Sequence, residues 1–147
     1  FHQLRLLLID AVLIWSFAIS SEEYEVKMLN FGSGGSMVFE PGFLKVNVGD
    51  TVHFKSVDMA HNSESISSMM PEDGDTWMGA MSEDISVTFN TEGVYVYRCT
   101  PHIMMAMVGV IQVGNSNNLE QVKTQASQLK NSFVTNKDRL DIYLSEL

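Results

Sequence analysis

The chain has 147 residues, 45% of them hydrophobic and 18% charged, a balance that suits one folded domain and excludes a disordered chain or a coiled coil. Nine Lys and Arg against 18 Asp and Glu give a formal net charge of -9, so nucleic acid, which is bound by neutralising phosphates, is a poor partner. The single cysteine excludes an intramolecular disulfide framework and a Cys-rich zinc site, and leaves one thiol in need of a chemical reason.

Residues 6–19 are mostly apolar, with Arg5 ahead of them and Ala18-Ile19-Ser20 at their end. A basic residue, a short apolar run and small residues at its close predict a secretory signal peptide over residues 1–20, removed on export, with one domain over residues 21–147. The run is shorter than a membrane span of about 20 residues. The acidic Ser21-Glu22-Glu23 that follows is not a stop-transfer flank. The mature chain is therefore expected to leave the membrane.

From Tyr24 onward apolar and polar residues alternate, the period of half-buried strands. Tyr24, Val26 and Met28 form one such set, Leu44, Val46 and Val48 a second, and Val52 with Phe54 a third. Turn residues separate them at Gly32-Ser33-Gly34-Gly35, Pro41-Gly42 and Gly49-Asp50, where a positive or fixed φ is wanted. Residues 55–82 lose the alternation and predict a long loop with one short helical turn. Strands resume at residues 85–89, 94–97 and 108–113. Short strands with regular turn signals indicate a β-sandwich or Greek-key barrel. From Asn118 the period becomes helical: Leu119, Val122, Ala126 and Leu129 share one face, with Asn118 placed to cap it. Leu140, Tyr143, Leu144 and Leu147 form a second stripe. The tail at 118–147 thus predicts two helices packed on the sheet.

The chemically informative segment is Cys99-Thr100-Pro101-His102-Ile103-Met104-Met105-Ala106-Met107, between two predicted strands. A lone cysteine is most often a small buried hydrophobe, and a lone histidine is usually core or surface. The cluster carries the weight. With four His and ten Met in the chain, a His three places and a Met eight places after the only Cys coincide by chance about twice in a thousand. His61, beyond the strand that starts at Thr51, can reach the same end of a sandwich. Two imidazoles, one thiolate and a weak thioether are the donors of a blue-copper electron-transfer centre. Structural zinc wants four strong donors and catalytic zinc an open position for water, so neither matches a methionine in fourth place. Spacing alone does not choose among Met104, Met105 and Met107. His53, inside an alternating strand, and His2 are expected to have no metal role.

On Phe39-Glu40-Pro41, Val48-Gly49-Asp50-Thr51-Val52, His61-Asn62, the block from Cys99 to Gly109 and the two-helix tail, the sequence resembles the pseudoazurins, type 1 blue copper proteins of the cupredoxin family. The resemblance covers essentially everything after residue 20. It implies a mainly β fold, a cupredoxin-type Greek-key sandwich of about eight strands with two C-terminal α-helices. It also implies one copper ion, cycling between Cu(I) and Cu(II), on His61, Cys99, His102 and Met107. Function follows as a soluble periplasmic monomer that shuttles single electrons between transient partners, such as a copper nitrite reductase or a cytochrome c, in a denitrification-type or other respiratory chain. Asn62 is expected to bridge to the loop around Cys99 and Thr100. An edge of His102 is expected at the surface among Met59, Pro101, Met104, Met105 and Ala106.

In one respect the chain departs from that family, whose members carry lysines around the exposed edge. No Lys or Arg lies between Lys55 and Arg98, and Asp58, Glu64, Glu72, Asp73, Asp75, Glu83, Asp84 and Glu92 fill the span, with Met59 and Trp77 where lysines are expected. Like fields suppress encounter, so a partner with a basic or apolar docking face is expected. Two other functions compete. A copper-delivery protein accounts for export and ten methionines but favours open, exchangeable sites. A Cys-His hydrolase accounts for Cys99 beside His102 but finds no oxyanion site in the sequence. The carrier reading needs no substrate and is not an enzyme.

Overall fold

The computed structural model describes residues 11–15 and 20–147. Most of the predicted leader at residues 1–20 lies outside the described residues. Among those described, no helix is long and apolar enough to cross a membrane.

Among the described residues eight strands form two four-stranded sheets: β1 (Glu23–Gly32), β2 (Gly35–Glu40), β3 (Phe43–Val46), β4 (Thr51–Ser56), β5 (Glu64–Ser65), β6 (Ile85–Thr88), β7 (Gly93–Arg98) and β8 (Val108–Val113). Their orders are β2-β1-β4-β6 and β3-β8-β7-β5. β1 runs parallel to β4, with Val26 opposite Phe54, and β3 runs parallel to β8. These parallel pairings join strands that are not neighbours in sequence, because the chain crosses repeatedly from one sheet of the sandwich to the other.

Two strands escaped the period-2 reading for local reasons. In β2 the backbone of Met37 takes φ 50° and drops out of the ladder between the Leu29–Val38 and Phe31–Ser36 pairs. Val38 and Phe39 are then both buried, and the alternation is lost. β5 is two residues long, too short to show a period. The remainder of the predicted loop holds a single 3-10 turn at Ser67–Met69.

Alternation sends Val26, Met28, Phe39 and Phe54 of one sheet against Tyr95, Tyr97, Ile111 and Val113 of the other. Phe54 lies at the centre. Its ring sits 5.0 Å from Tyr97 edge-on and 5.8 Å from Trp77 in a stack. Gly109 is required here, because a Cβ at that position would run into the Tyr97 ring. The Tyr97 hydroxyl is buried without a hydrogen-bond partner among the described residues.

β7 and β8 are buried on both faces, because the tail covers the outer one. Val94, Val96, Val108 and Val110 pack with Val122, Ala126, Phe133 and Leu140. These come from α1 (Leu119–Leu129), α2 (Arg139–Leu144) and the segment between. Every member of the two predicted apolar stripes except Leu119 packs into this cluster. Asn118 does not cap α1 with its side chain. It accepts the Val94 N–H at 2.7 Å and donates to the Val94 carbonyl at 3.0 Å, tying the helix start to β7.

Candidate metal centre

Cys99 directly follows β7 and Met107 directly precedes β8, so the loop between them is anchored at both ends in one antiparallel pair. It closes on itself. Cys99 N–H donates to the Met107 carbonyl at 2.9 Å, and Met107 N–H donates to the His102 carbonyl at 3.2 Å. Pro101 opens its 3-10 turn, where a missing N–H costs nothing. Ala106 ends it in the left-handed region, at φ 56° and ψ 38°. β4 ends at Ser56, and His61 sits five residues beyond it in irregular chain. It is held by its own carbonyl, which accepts the Ser82 N–H at 2.8 Å.

His61, Cys99 and His102 converge. His61 Nδ1 is 3.2 Å from His102 Nδ1 and 3.7 Å from Cys99 Sγ, and His102 Nδ1 is 3.3 Å from the sulfur. His61 Nε2 lies 2.8 Å from Asn30 Oδ1. An amide oxygen only accepts, so the ring proton belongs on Nε2 and the Nδ1 lone pair faces the sulfur. A triangle with those three sides has its centre about 2.0 Å from each corner, the length of a metal–nitrogen bond and little short of a metal–sulfur bond. Three donors at this spacing, with the other edge of His61 already committed, fit one metal ion.

Burial sets the charge of these donors. It lowers the His61 pKa, with His102 adding to the effect and Asp58 opposing it, so that ring is neutral and ready to donate. Burial raises the Cys99 pKa, against a weaker opposite pull from the N–H groups of Asn62 and His102. Cys99 must therefore lose a proton before it ligates, and metal affinity rises with pH.

The three candidate methionines have different surroundings. Met107 is fully buried and packs in the same core cluster as Cys99, whereas Met104 is 57% exposed and Met105 half-buried. His53 stands apart on β4, between Ser86 and Glu23. Asn62 makes the bridge expected of it: Oδ1 accepts the Thr100 N–H at 2.7 Å and Nδ2 donates to Thr100 Oγ1 at 2.9 Å. Thr100 in turn donates to Glu64, which also pairs with Arg98 at 3.2 Å. Asn30 was missed in the sequence, since its role depends on β1 lying beside β4.

The surface around His102 differs from expectation in three places. Ala106 is buried, and Trp77 lies in the core rather than at a docking face. The acidic residues also divide between the two ends of the sandwich. Asp58, Glu64, Glu83 and Asp84 belong to the Cys99 end. Glu72, Asp73, Asp75 and Glu92 cluster at the far end, where Asp73, Asp75 and Glu92 bond to Thr91, Asn90 and Asn115. Of the near group, Glu64 is paired with Arg98 and Asp84 with Lys55. The field beside His102 is thus weaker than the sequence count implied. Met59, 79% exposed, Met104 and Pro101 remain at the surface.

Residues 26–114 match the family of copper binding proteins described as plastocyanin/azurin. A putative pseudoazurin of Rhizobium leguminosarum bv. viciae is 44% identical over 120 residues, covering 80% of this chain and 79% of its own. The pseudoazurin of Paracoccus pantotrophus is 37% identical over 125 residues, 84% and 83% of the two chains. The crystal structure of native pseudoazurin from Hyphomicrobium denitrificans superposes with a TM-score of 0.77 at 38% identity, covering 85% of this chain and 98% of that one.

Proposed function

The chain belongs to the plastocyanin/azurin family of copper-binding proteins, with pseudoazurins among its relatives, and from that premise we propose that it holds one type 1 copper ion on His61, Cys99, His102 and Met107 and carries single electrons as an exported, periplasmic monomer. The observation that carries this reading is the convergence of two imidazole nitrogens and one sulfur within 3.2–3.7 Å. Copper bound there supplies reversible one-electron chemistry. The chain's own residues supply the rest. Asn30 holds His61 in the donor tautomer. Asn62 locks the loop that presents Cys99 and His102. The core excludes water from Cys99 and Met107, and a set of donors fixed by protein contacts keeps rearrangement on electron transfer small. This part-exposed ring of His102 is the route by which electrons enter and leave. No substrate is bound or transformed.

Adding Cu(II) to the metal-free protein tests the assignment. An intense visible band is expected to saturate at one equivalent, to bleach with reductant and to return with oxidant. Copper lost to a Cu(I) chelator during the reduced phase favours instead a delivery protein, the second reading that the exposed methionines Met59, Met78, Met81 and Met104 support. Complete burial of His61, Cys99 and Met107 argues for retention.

Docking follows from the charges that remain. The apolar rim of Met59, Pro101 and Met104, with a small acidic excess around it, fits a transient redox partner whose face is apolar and rimmed by basic groups. Electron-exchange rates with such a partner are expected to fall about twofold to tenfold from low to physiological ionic strength, because salt screens an attractive field. Rates that rise with salt would overturn this docking chemistry.

A further inference from the structure

Arg139, in the first turn of α2, is only 4% exposed, and no carboxylate among the described residues lies within ion-pair distance of it. A guanidinium removed from water without a counter-ion is costly unless its N–H groups find acceptors. Its acceptors are five backbone carbonyls. Nη1 donates to Met37 at 2.9 Å, Ala106 at 3.1 Å and Met105 at 3.3 Å, and Nη2 donates to Ser36 at 2.8 Å and Gly34 at 3.1 Å. One side chain therefore joins the β1–β2 turn, the start of β2, the end of the ligand loop and α2.

Two of those carbonyls flank the one left-handed residue of the ligand loop. Ala106 has a Cβ, so its φ of 56° is a conformation that the surrounding contacts must hold. The residue that follows it is Met107. Covering β8 needs only apolar side chains such as Leu140. A buried cation is explained instead by the carbonyls it gathers.

We propose that Arg139 is a positioning residue for the metal centre: by gripping the carbonyls of Met105 and Ala106 it sets where Met107 stands relative to Cys99. This rests on Met107 being the fourth donor, and the test separates the two claims. Arg139→Met and Arg139→Lys are compared with Leu140→Ala, which loosens the same helix without touching those carbonyls. In the metal-free proteins, amide hydrogen exchange is followed at Ala106 and Met107, whose N–H groups bond to Ile103 and His102. Arg139→Met is expected to speed exchange at both about tenfold beyond any global loss of stability, the size of one lost hydrogen bond to a charged group. Arg139→Lys, which keeps the charge but not the fork, is expected to fall between. Leu140→Ala should change exchange only in step with global stability. In the copper-loaded proteins, Arg139→Met and Arg139→Lys shift the visible band ratio and the reduction potential, whereas Leu140→Ala leaves both in place.

Loop exchange that tracks global stability in the Arg139 variants as it does in Leu140→Ala overturns the proposal at Arg139. Faster loop exchange with an unshifted spectrum overturns it at Met107, as does an unchanged spectrum in Met107→Leu. Should Arg139→Met fail to fold, Arg139→Lys is read by the same criteria.

Discussion

Replacing Cys99 by serine is expected to abolish the intense visible absorption of the copper-loaded protein, reducing it to the weak bands of copper bound by nitrogen and oxygen. Charge transfer from a thiolate to Cu(II) is the source of such a band, and a serine hydroxyl in this buried place neither ionises nor shares electron density as sulfur does. The chain has no second cysteine to take over. Met107, Met104 and Met105 offer thioethers, which carry no negative charge to transfer. His61 and His102 remain 3.2 Å apart at Nδ1, so the variant is expected to retain copper on two nitrogens with lower affinity. Metal content and absorption measured on one sample check this. A band of undiminished intensity at full metal occupancy would show that Cys99 is not the sulfur donor.

Phe54→Ala is expected to lower stability by about 3–5 kcal/mol, the usual cost of emptying an aromatic site in a closed core. The ring is fully buried and touches both sheets, packing edge-on with Phe39 and Tyr97 and stacking on Trp77. Those neighbours cannot collapse freely. Tyr97 lies across Gly109, and the Trp77 indole N–H is held by Ser63 Oγ at 2.9 Å. A cavity therefore persists, and lost contacts add to lost burial. Urea unfolding followed by fluorescence should show a lower midpoint with an unchanged slope. A loss under about 1 kcal/mol would mean that the two sheets do not share the core described.

Much of this molecule was legible in one dimension, because burying one face of a strand imposes a period of two and covering a sheet with helices imposes a period near 3.6. Tyr24 to Met28 and the Leu140 stripe were readable for that reason, whereas Val94 to Tyr97, buried on both faces, was readable as a short apolar run after Gly93. The pattern failed where another constraint overrode burial. The turned backbone of Met37 hid β2, and β5 is held by its pairing of Glu64 with Arg98 rather than by a pattern of its own. Asn118 looked like a helix cap because its type suits one, yet the nearby edge of β7 offered it two better partners.

The donor types of the proposed metal centre were present in the sequence, since Cys99, His102 and the candidate methionines Met104, Met105 and Met107 lie within one short loop and chain connectivity alone brings them close. So was copper as the metal, which follows from the chemistry of those donors; His61 entered by its place beyond the strand that starts at Thr51, and the family resemblance singled out Met107. Tertiary structure alone decided the rest. Asn30 meets His61, and Arg139 meets Ala106, across gaps of 31 and 33 residues. It decided, too, that four of the eight acidic residues between Lys55 and Arg98 stand at the end of the sandwich away from His102. Periodicity reports which side of an element faces inward, but the partner across a core is set by how sheets and helices stack, and that depends on contacts no local pattern records.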